Sequence, residues 1–310
     1  MSGSIRVLAI VTSAGPVTVF VGRFATHRLA LISALSVVFL LLALIAAPVI
    51  ASLMGADPAR TDLLNRLAAP SLAHPLGTDD LGRDVLVRLL YGGRISLLVG
   101  LGAALLAALI GSALGVQAGL VGGRTDAGLM RLTDGIIALP ILPLLIILAA
   151  IDLSKLPFLG LASGADSSGI WRIVAIVALF GWTTVARLVR GAVLALQERE
   201  FVQSARALGA GPWHIVRRHL LPNVTAPIIV ATTLAIGNVI LAESILSFLG
   251  LGIQPPMPSW GNMLSNAQEL IWAAPRLAIL PGLMIFFAVI AFNFLGDGLQ
   301  DALDPRLVRR

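Results

Sequence analysis

An all-helical membrane protein that crosses the bilayer six times, with both termini on the cytoplasmic side, is the fold class this 310-residue sequence predicts. Three observations predict it. Hydrophobic residues make up 57% of the chain and charged residues 12%, far from the balance of soluble domains. Six apolar runs, at 29–53, 95–121, 132–151, 173–194, 224–249 and 277–294, reach the length of about 20 residues that one helical crossing needs. Basic residues are divided unequally between the two sides that an even number of crossings defines. Arg6, Arg23, Arg28, Arg124, Arg131, Arg199, Arg206, Arg217, Arg218, Arg306, Arg309 and Arg310 fall on the side of the termini. Arg60, Arg66, Arg83, Arg88, Arg94, Lys155, Arg172 and Arg276 fall on the other, with Arg187 and Arg190 at the inner end of the fourth run. Lys and Arg near short loops stay in the cytoplasm, so the majority marks the inside. Most of the minority sits in one long loop among Asp57, Asp62, Asp79, Asp80 and Asp84, and long loops translocate with less regard for charge. The net charge of +6 is therefore a topology signal, and no concentrated basic face speaks for nucleic acid.

Taken in order, residues 1–28 form a cytoplasmic or interfacial arm. Its apolar stretch is broken by Gly15-Pro16, lacks a small-residue cleavage site, and is followed by Arg23, His27 and Arg28 before the first span, so it reads as uncleaved. Residues 29–299 make one transmembrane domain and 300–310 a cytoplasmic tail. In the second span Gly111, Gly115 and Gly119 recur on one helix face and predict close approach of a neighbouring helix, either a seam in a transport core or a purely structural one. Pro140 and Pro143 predict a kink in the third span that releases backbone carbonyls. In the fifth span Glu243 sits near Asn238 and Ser244. A carboxylate there costs on the order of 3 kcal/mol and must face protein or water, as a proton-relay acid or as a hydrogen-bonded residue near a pathway or interface.

Between the fourth and fifth spans, 198–223 is polar and basic and reads as a cytoplasmic loop shaped for docking. Phe201, Ala205 and Leu208 share one face of a short amphipathic helix, opposite Glu200, Gln203 and Arg206. Gly209 stops it in a left-handed conformation, Pro212 opens a second helix, and that helix is expected to run from Trp213 to near Pro222. On the outer side, 74–94 and 250–263 are too rich in glycine, proline and charge to lie in lipid and predict an exposed rim; Trp260 and Trp272 suit the membrane interface.

Residues 203–222, QSARALGAGPWHIVRRHLLP, resemble the EAA loop of the membrane subunits of ATP-binding-cassette importers. Gln203, Ser204 and Ala205 fall on E-A-A, Gly209 on the glycine, His219 on a usually apolar position, and Leu221-Pro222 on the closing L-P. Gln203, Ser204 and His219 depart from the pattern, which removes the charge through which the glutamate would pair with an ATPase. Three further segments are similar to the C-type permease subunit of dipeptide and oligopeptide importers: HPLGTDDLGRDVLVRLLYGGRISLLVG at 74–100, ESILSFLGLGIQPPMPSWGNML at 243–264 and AFNFLGDGLQDALDPR at 291–306. The resemblance implies the type I importer permease fold in a bacterial inner membrane. It also implies a homologous B-type permease as heterodimer partner, two ATPase subunits that bind ATP and Mg, and an extracytoplasmic solute-binding protein. Gln203, Ser204, Ala205, Arg206, Gly209, His219, Leu221 and Pro222 would couple to the ATPases; Asn238, Glu243 and Ser244 would lie at a pathway or interface. Asp79, Asp80, Arg83, Pro256, Ser259 and Trp260 are the expected contacts to the binding protein.

Catalytic and cofactor constellations are not found. The sequence has no G-x-x-x-x-G-K-[ST] motif, its one lysine lies in an outer loop, and Gly250-Leu251-Gly252 runs into Pro255-Pro256 rather than a helix start. His27, His74, His214 and His219 show no metal-ligand spacing, five residues being the wrong separation for one helical face. Without cysteine there is no thiolate site. The chain thus reads as a permease subunit without an ATP or metal site of its own, in contact with membrane lipids and carrying peptides. Nickel chelates, glutathione, opines and oligosaccharides are alternative cargoes. The rivals are a proton-coupled carrier acting alone and a non-transporting membrane anchor.

Overall fold

The computed structural model describes residues 21–22, 24–25, 27–151 and 168–303, and among them the chain is helical, with a lone antiparallel bridge between Thr78 and Asp84. Most of the terminal arm and tail, and Lys155, lie outside the described residues. Helix α1 (Arg28–Ile45) starts where the His27 side chain accepts a hydrogen bond from the Ala30 amide. After Ala46 the chain continues as α2 (Ala47–Met54), whose proline occupies the first turn, where a missing N–H costs nothing, and which ends at Gly55 with φ +61°.

The central element is α3 (Val85–Val121), capped by the Asp84 carboxylate, which accepts from the Val87 amide at 2.9 Å. It begins ten residues before the apolar run at 95–121, inside the segment expected to be an exposed rim. Its first turns pack against protein, with Val85, Val87, Arg88 and Leu89 all buried. After α3 come α4 (Gly123–Ile137) and α5 (Ile141–Ala150), bent by 84° where Pro140 and Pro143 stand, so the expected kink is a full break. Next are α6 (Ser168–Gln197), α7 (Glu200–Ala207), α8 (Pro212–Ile215) and α9 (Leu221–Phe248), then α10 (Ala267–Leu270) and α11 (Arg276–Leu303). Among the described residues five helices are long and apolar enough to cross a membrane, and the bent α4–α5 pair makes a sixth crossing if it is counted as one broken span.

Within a bilayer, apolar burial alone does not hold helices together, because lipid is as apolar as leucine; close packing does. The glycine seam of α3 meets α6 of the same chain. A Cβ built on Gly111 would stand 2.5 Å from the Trp182 carbonyl oxygen, one on Gly115 2.5 Å from that of Ala186, and one on Gly119 2.7 Å from Val193 Cγ1. The seam is thus structural within one bundle. On the other side of α3, α9 and α11 close a core of Leu40, Leu44, Leu97, Ile236, Ile240 and Phe292 around the fully buried Trp260. A separate core of Val185, Val189, Val193, Val202, Ile215, Val216, Leu220 and Val224 ties the α7–α8 hairpin to the ends of α6 and α9.

Candidate functional site

The α7–α8 hairpin rests on that last core through Val202, Ile215, Val216 and Leu220, all buried. Its outward side carries Gln203, Ser204, Arg206, Ala207 and Gly209, all exposed, with Ala205 half-buried. The apolar stripe read from the sequence is not what anchors the helix: Phe201 is 43% and Leu208 89% exposed, and Val202 supplies the anchor. Because valine lies one position off the predicted stripe, an eight-residue helix gave too short a pattern to fix its rotation. Trp213 is 73% exposed as well, so three large apolar side chains face outward in this short polar segment. Exposed apolar groups of this kind mark contact surfaces.

The chain reverses at Gly209, whose φ of +87° is the left-handed geometry the sequence implied. The Gly209 amide donates to the Arg206 carbonyl at 2.9 Å and the Ala210 amide to that of Ala205 at 3.0 Å, which satisfies the last carbonyls of α7. Arg206 donates to the Gln197 side chain, and Gln197 in turn to the Gly119 carbonyl, so the hairpin is also tied to the ends of α6 and α3. Gln203 makes only a long 3.4 Å contact to the Glu198 carbonyl.

The second helix does not end near Pro222. From Pro212 the chain passes through a π turn, Val216–Leu220, directly into α9. The Leu221 amide reaches back to the Val216 carbonyl, one residue further than in an α-helix, so that Leu221 and Pro222 start α9 without a break. That wider turn overturns the spacing argument about the histidines: the rings of His214 and His219 lie 5.9 Å apart, and His219 also stands 6.0 Å from the Phe201 ring.

At the other end, the loop after α9 folds back into the bundle. Glu243 is fully buried; its two oxygens accept from Ser96 of α3 at 3.0 Å and from Ser247 at 2.7 Å. Ser96 Oγ also accepts from the Trp260 amide, and Ser247 Oγ from the Ile253 amide at 3.0 Å. The Trp260 indole donates to the Leu89 carbonyl at 2.9 Å. Asn262 organises the rest, donating to the carbonyls of Ile253 and Met257 while its own oxygen accepts from the Ser259 amide. Ser96, Ser247 and Asn262 escaped the sequence reading, and the faint signal for them was a polar residue inside or beside an otherwise apolar run.

The expected exposed rim is therefore largely interior. Ser259 and Trp260 are fully buried and Asp79 nearly so, while Pro75, Leu81, Arg94, Gln254, Pro255 and Pro256 are exposed as expected, as is Trp272 at 95%. Asp79 accepts from the amides of Leu81 and Arg83 at 2.9 Å, and pairs with Arg83 at 2.7 Å and Arg88 at 3.3 Å. The carboxylate thereby braces the turn before α3. Asp80 and Arg83 are half-buried, and Asp80 accepts from Asn266 at 3.0 Å. Asn238 parts company with Glu243 and Ser244, for it is exposed on the flank of α9 while they are buried. Asp134 of α4 is exposed and paired with Arg187 at 2.6 Å.

The chain is similar in sequence to known permease proteins. A peptide permease protein of Brucella ovis is 40% identical over 300 residues, 96% of this chain and 94% of that one. The dipeptide transport system permease protein of Alkalihalophilus pseudofirmus is 38% identical over 281 residues, 91% of this chain and 87% of its own. The glutathione transport system permease protein of Pectobacterium atrosepticum is 44% identical over 220 residues, 71% of this chain and 68% of its own. The model of one family, described as binding-protein-dependent transport system inner membrane component, matches residues 88–309. With that match spanning the glycine seam, the hairpin and the buried cap, the chain belongs to the family of binding-protein-dependent transport system inner membrane components, the multi-pass permeases of ATP-binding-cassette importers.

Proposed function

We propose that this chain is one half of the transmembrane pathway of an ATP-driven importer of small peptides, paired with a homologous permease, with six crossings and both termini in the cytoplasm. An external binding protein delivers the peptide, and two ATPase subunits, which hold ATP and Mg, dock on the α7–α8 hairpin. The observation that carries this reading is the hairpin itself: a polar two-helix turn, exposed on one side with Phe201, Leu208 and Trp213, and fastened on the other to the ends of three spans. A force applied there reaches the bundle without passing through a flexible linker.

Peptide is the cargo class favoured by the relatives, one named for peptides, one for dipeptides and one for glutathione, itself a peptide. Asn238 supports a pathway or partner contact on α9, since an exposed amide in an apolar span is stabilised against protein or water rather than lipid. Pro256 and Asp80 remain the candidates for contact with the binding protein. A proton relay through Glu243 finds no support in a carboxylate closed in by serine hydroxyls and the folded-back loop.

The test is uptake of a labelled dipeptide into vesicles carrying the co-expressed assembly, with binding protein on one side and ATP on the ATPase side. Uptake that needs ATP and survives an uncoupler is expected. Uptake by the purified chain alone, collapsing with the proton gradient, would establish a secondary carrier instead; no flux by the complete assembly would leave a membrane anchor.

A further inference from the structure

His219 occupies a position that is usually apolar in the loop pattern, and it stands where three elements meet. Its ring lies 6.0 Å from Phe201 on α7 and 5.9 Å from His214 on α8. Its carbonyl accepts from the Asn223 side chain of α9 at 2.6 Å. The residue belongs to the π turn, the one place in the 212–248 rod where backbone bonds are not in α register. π turns are rare breaks in α register that cluster at functional sites, and this one stands between α8 and α9, where relative rotation of the two would be absorbed. A half-buried ring wedged between the two hairpin helices opposes that slip.

We propose that His219 is the positioning residue that locks the α7–α8 hairpin to α9, so that displacement of the hairpin turns the span instead of being taken up in the π turn. This rests on the hairpin being the ATPase docking element, as proposed above. The contact pair Phe201–His219 should then persist through the whole transport cycle, and the identity of the ring should matter less than its presence.

The experiment uses the complete assembly and reads peptide transported per ATP hydrolysed, alongside ATPase co-purification and basal hydrolysis. In assemblies matched for co-purified ATPase, His219→Ala should lower transport per ATP hydrolysed about fivefold or more, the low end of the range for coupling free energies. His219→Phe, which keeps a ring in place, should restore the ratio to within about twofold, a difference of about 0.4 kcal/mol or less. An unchanged ratio in His219→Ala, or no rescue by His219→Phe, overturns the proposal. Because the chain has no cysteine, a second arm needs no prior background changes: Phe201→Cys with His219→Cys lacks both rings and should lose transport per ATP as His219→Ala does, and joining the two thiols with a short bifunctional reagent should restore it. A ratio that stays low or falls further on joining would show that the pair separates in the cycle and would equally overturn the lock. Should the ATPases fail to co-purify with the unaltered permease, the docking reading itself falls, an outcome separate from either arm.

Discussion

Glu243 and Trp260 meet at a single hydroxyl, for Ser96 Oγ donates to the carboxylate of the first and accepts from the backbone amide of the second. Through that atom a residue of α9, one of the outer loop and one of α3 become a single unit. Ser96→Ala leaves a buried carboxylate short of a donor and a buried amide without an acceptor, at about 1–3 kcal/mol for each group left unsatisfied. A lower Tm of the detergent-purified protein and earlier proteolysis of the 250–264 loop are the expected results.

Glu243→Gln keeps the size of the side chain and one acceptor oxygen, and the serine hydroxyls can rotate to accept from its amide. Peptide uptake within about threefold of the unaltered protein is expected, a change of roughly 0.7 kcal/mol. A proton-relay acid would instead lose transport altogether in the same flux assay.

Gly115→Val drives a β-branched side chain toward the Ala186 carbonyl oxygen, which a Cβ alone would approach to 2.5 Å. Overpacking of this kind costs typically about 1–3 kcal/mol even where side chains can yield, and here the obstacle is backbone. The amount of folded permease in membranes, measured by size-exclusion in detergent, should collapse. Gly128→Ala on α4 is the control, since nothing lies within 4 Å of its added Cβ, and it should be harmless.

Gly209→Val meets no neighbour, so its penalty is confined to the left-handed backbone and amounts to about 1–3 kcal/mol of local strain. Ala205→Glu places a charge on the half-buried face beside it. Both variants should insert normally and lose ATPase co-purification, while Gln203→Ala, giving up only a 3.4 Å contact, should keep it.

Single cysteines in the naturally cysteine-free chain test sidedness and burial together. Leu64→Cys and Pro256→Cys should react with an impermeant maleimide from outside, Leu208→Cys only from the cytoplasmic side. Ser259→Cys should stay unlabelled until the protein is denatured, because Ser259 is fully buried.

Much of this fold was legible in the sequence because apolar run length, glycine spacing and proline position are local signals. The glycine seam, the break near Pro140 and the left-handed Gly209 all followed from them. What failed depended on partners distant in the chain. Trp260 read as surface until Ser96 and Leu89 of α3 supplied the bonds that hold it inside, and the start of α3 read as part of an exposed rim until Asp79 paired with Arg88. Pro222 read as a stop, yet the π turn admits it, a backbone choice that no side-chain pattern announces.

The elbow between α4 and α5 bears on the life of the chain before assembly. Ten residues of α5 span only about 15 Å, half of a hydrocarbon layer of about 30 Å, so a crossing here needs part of α4 as well. That sets the bend within or near the lipid, with Ala138, Leu139 and Pro140 all exposed. Peptide groups outside regular helix are tolerated at that depth only against protein or water. On the proposed pairing with a second permease, a protomer made without that partner would present this corner to acyl chains, so its abundance should follow that of the partner.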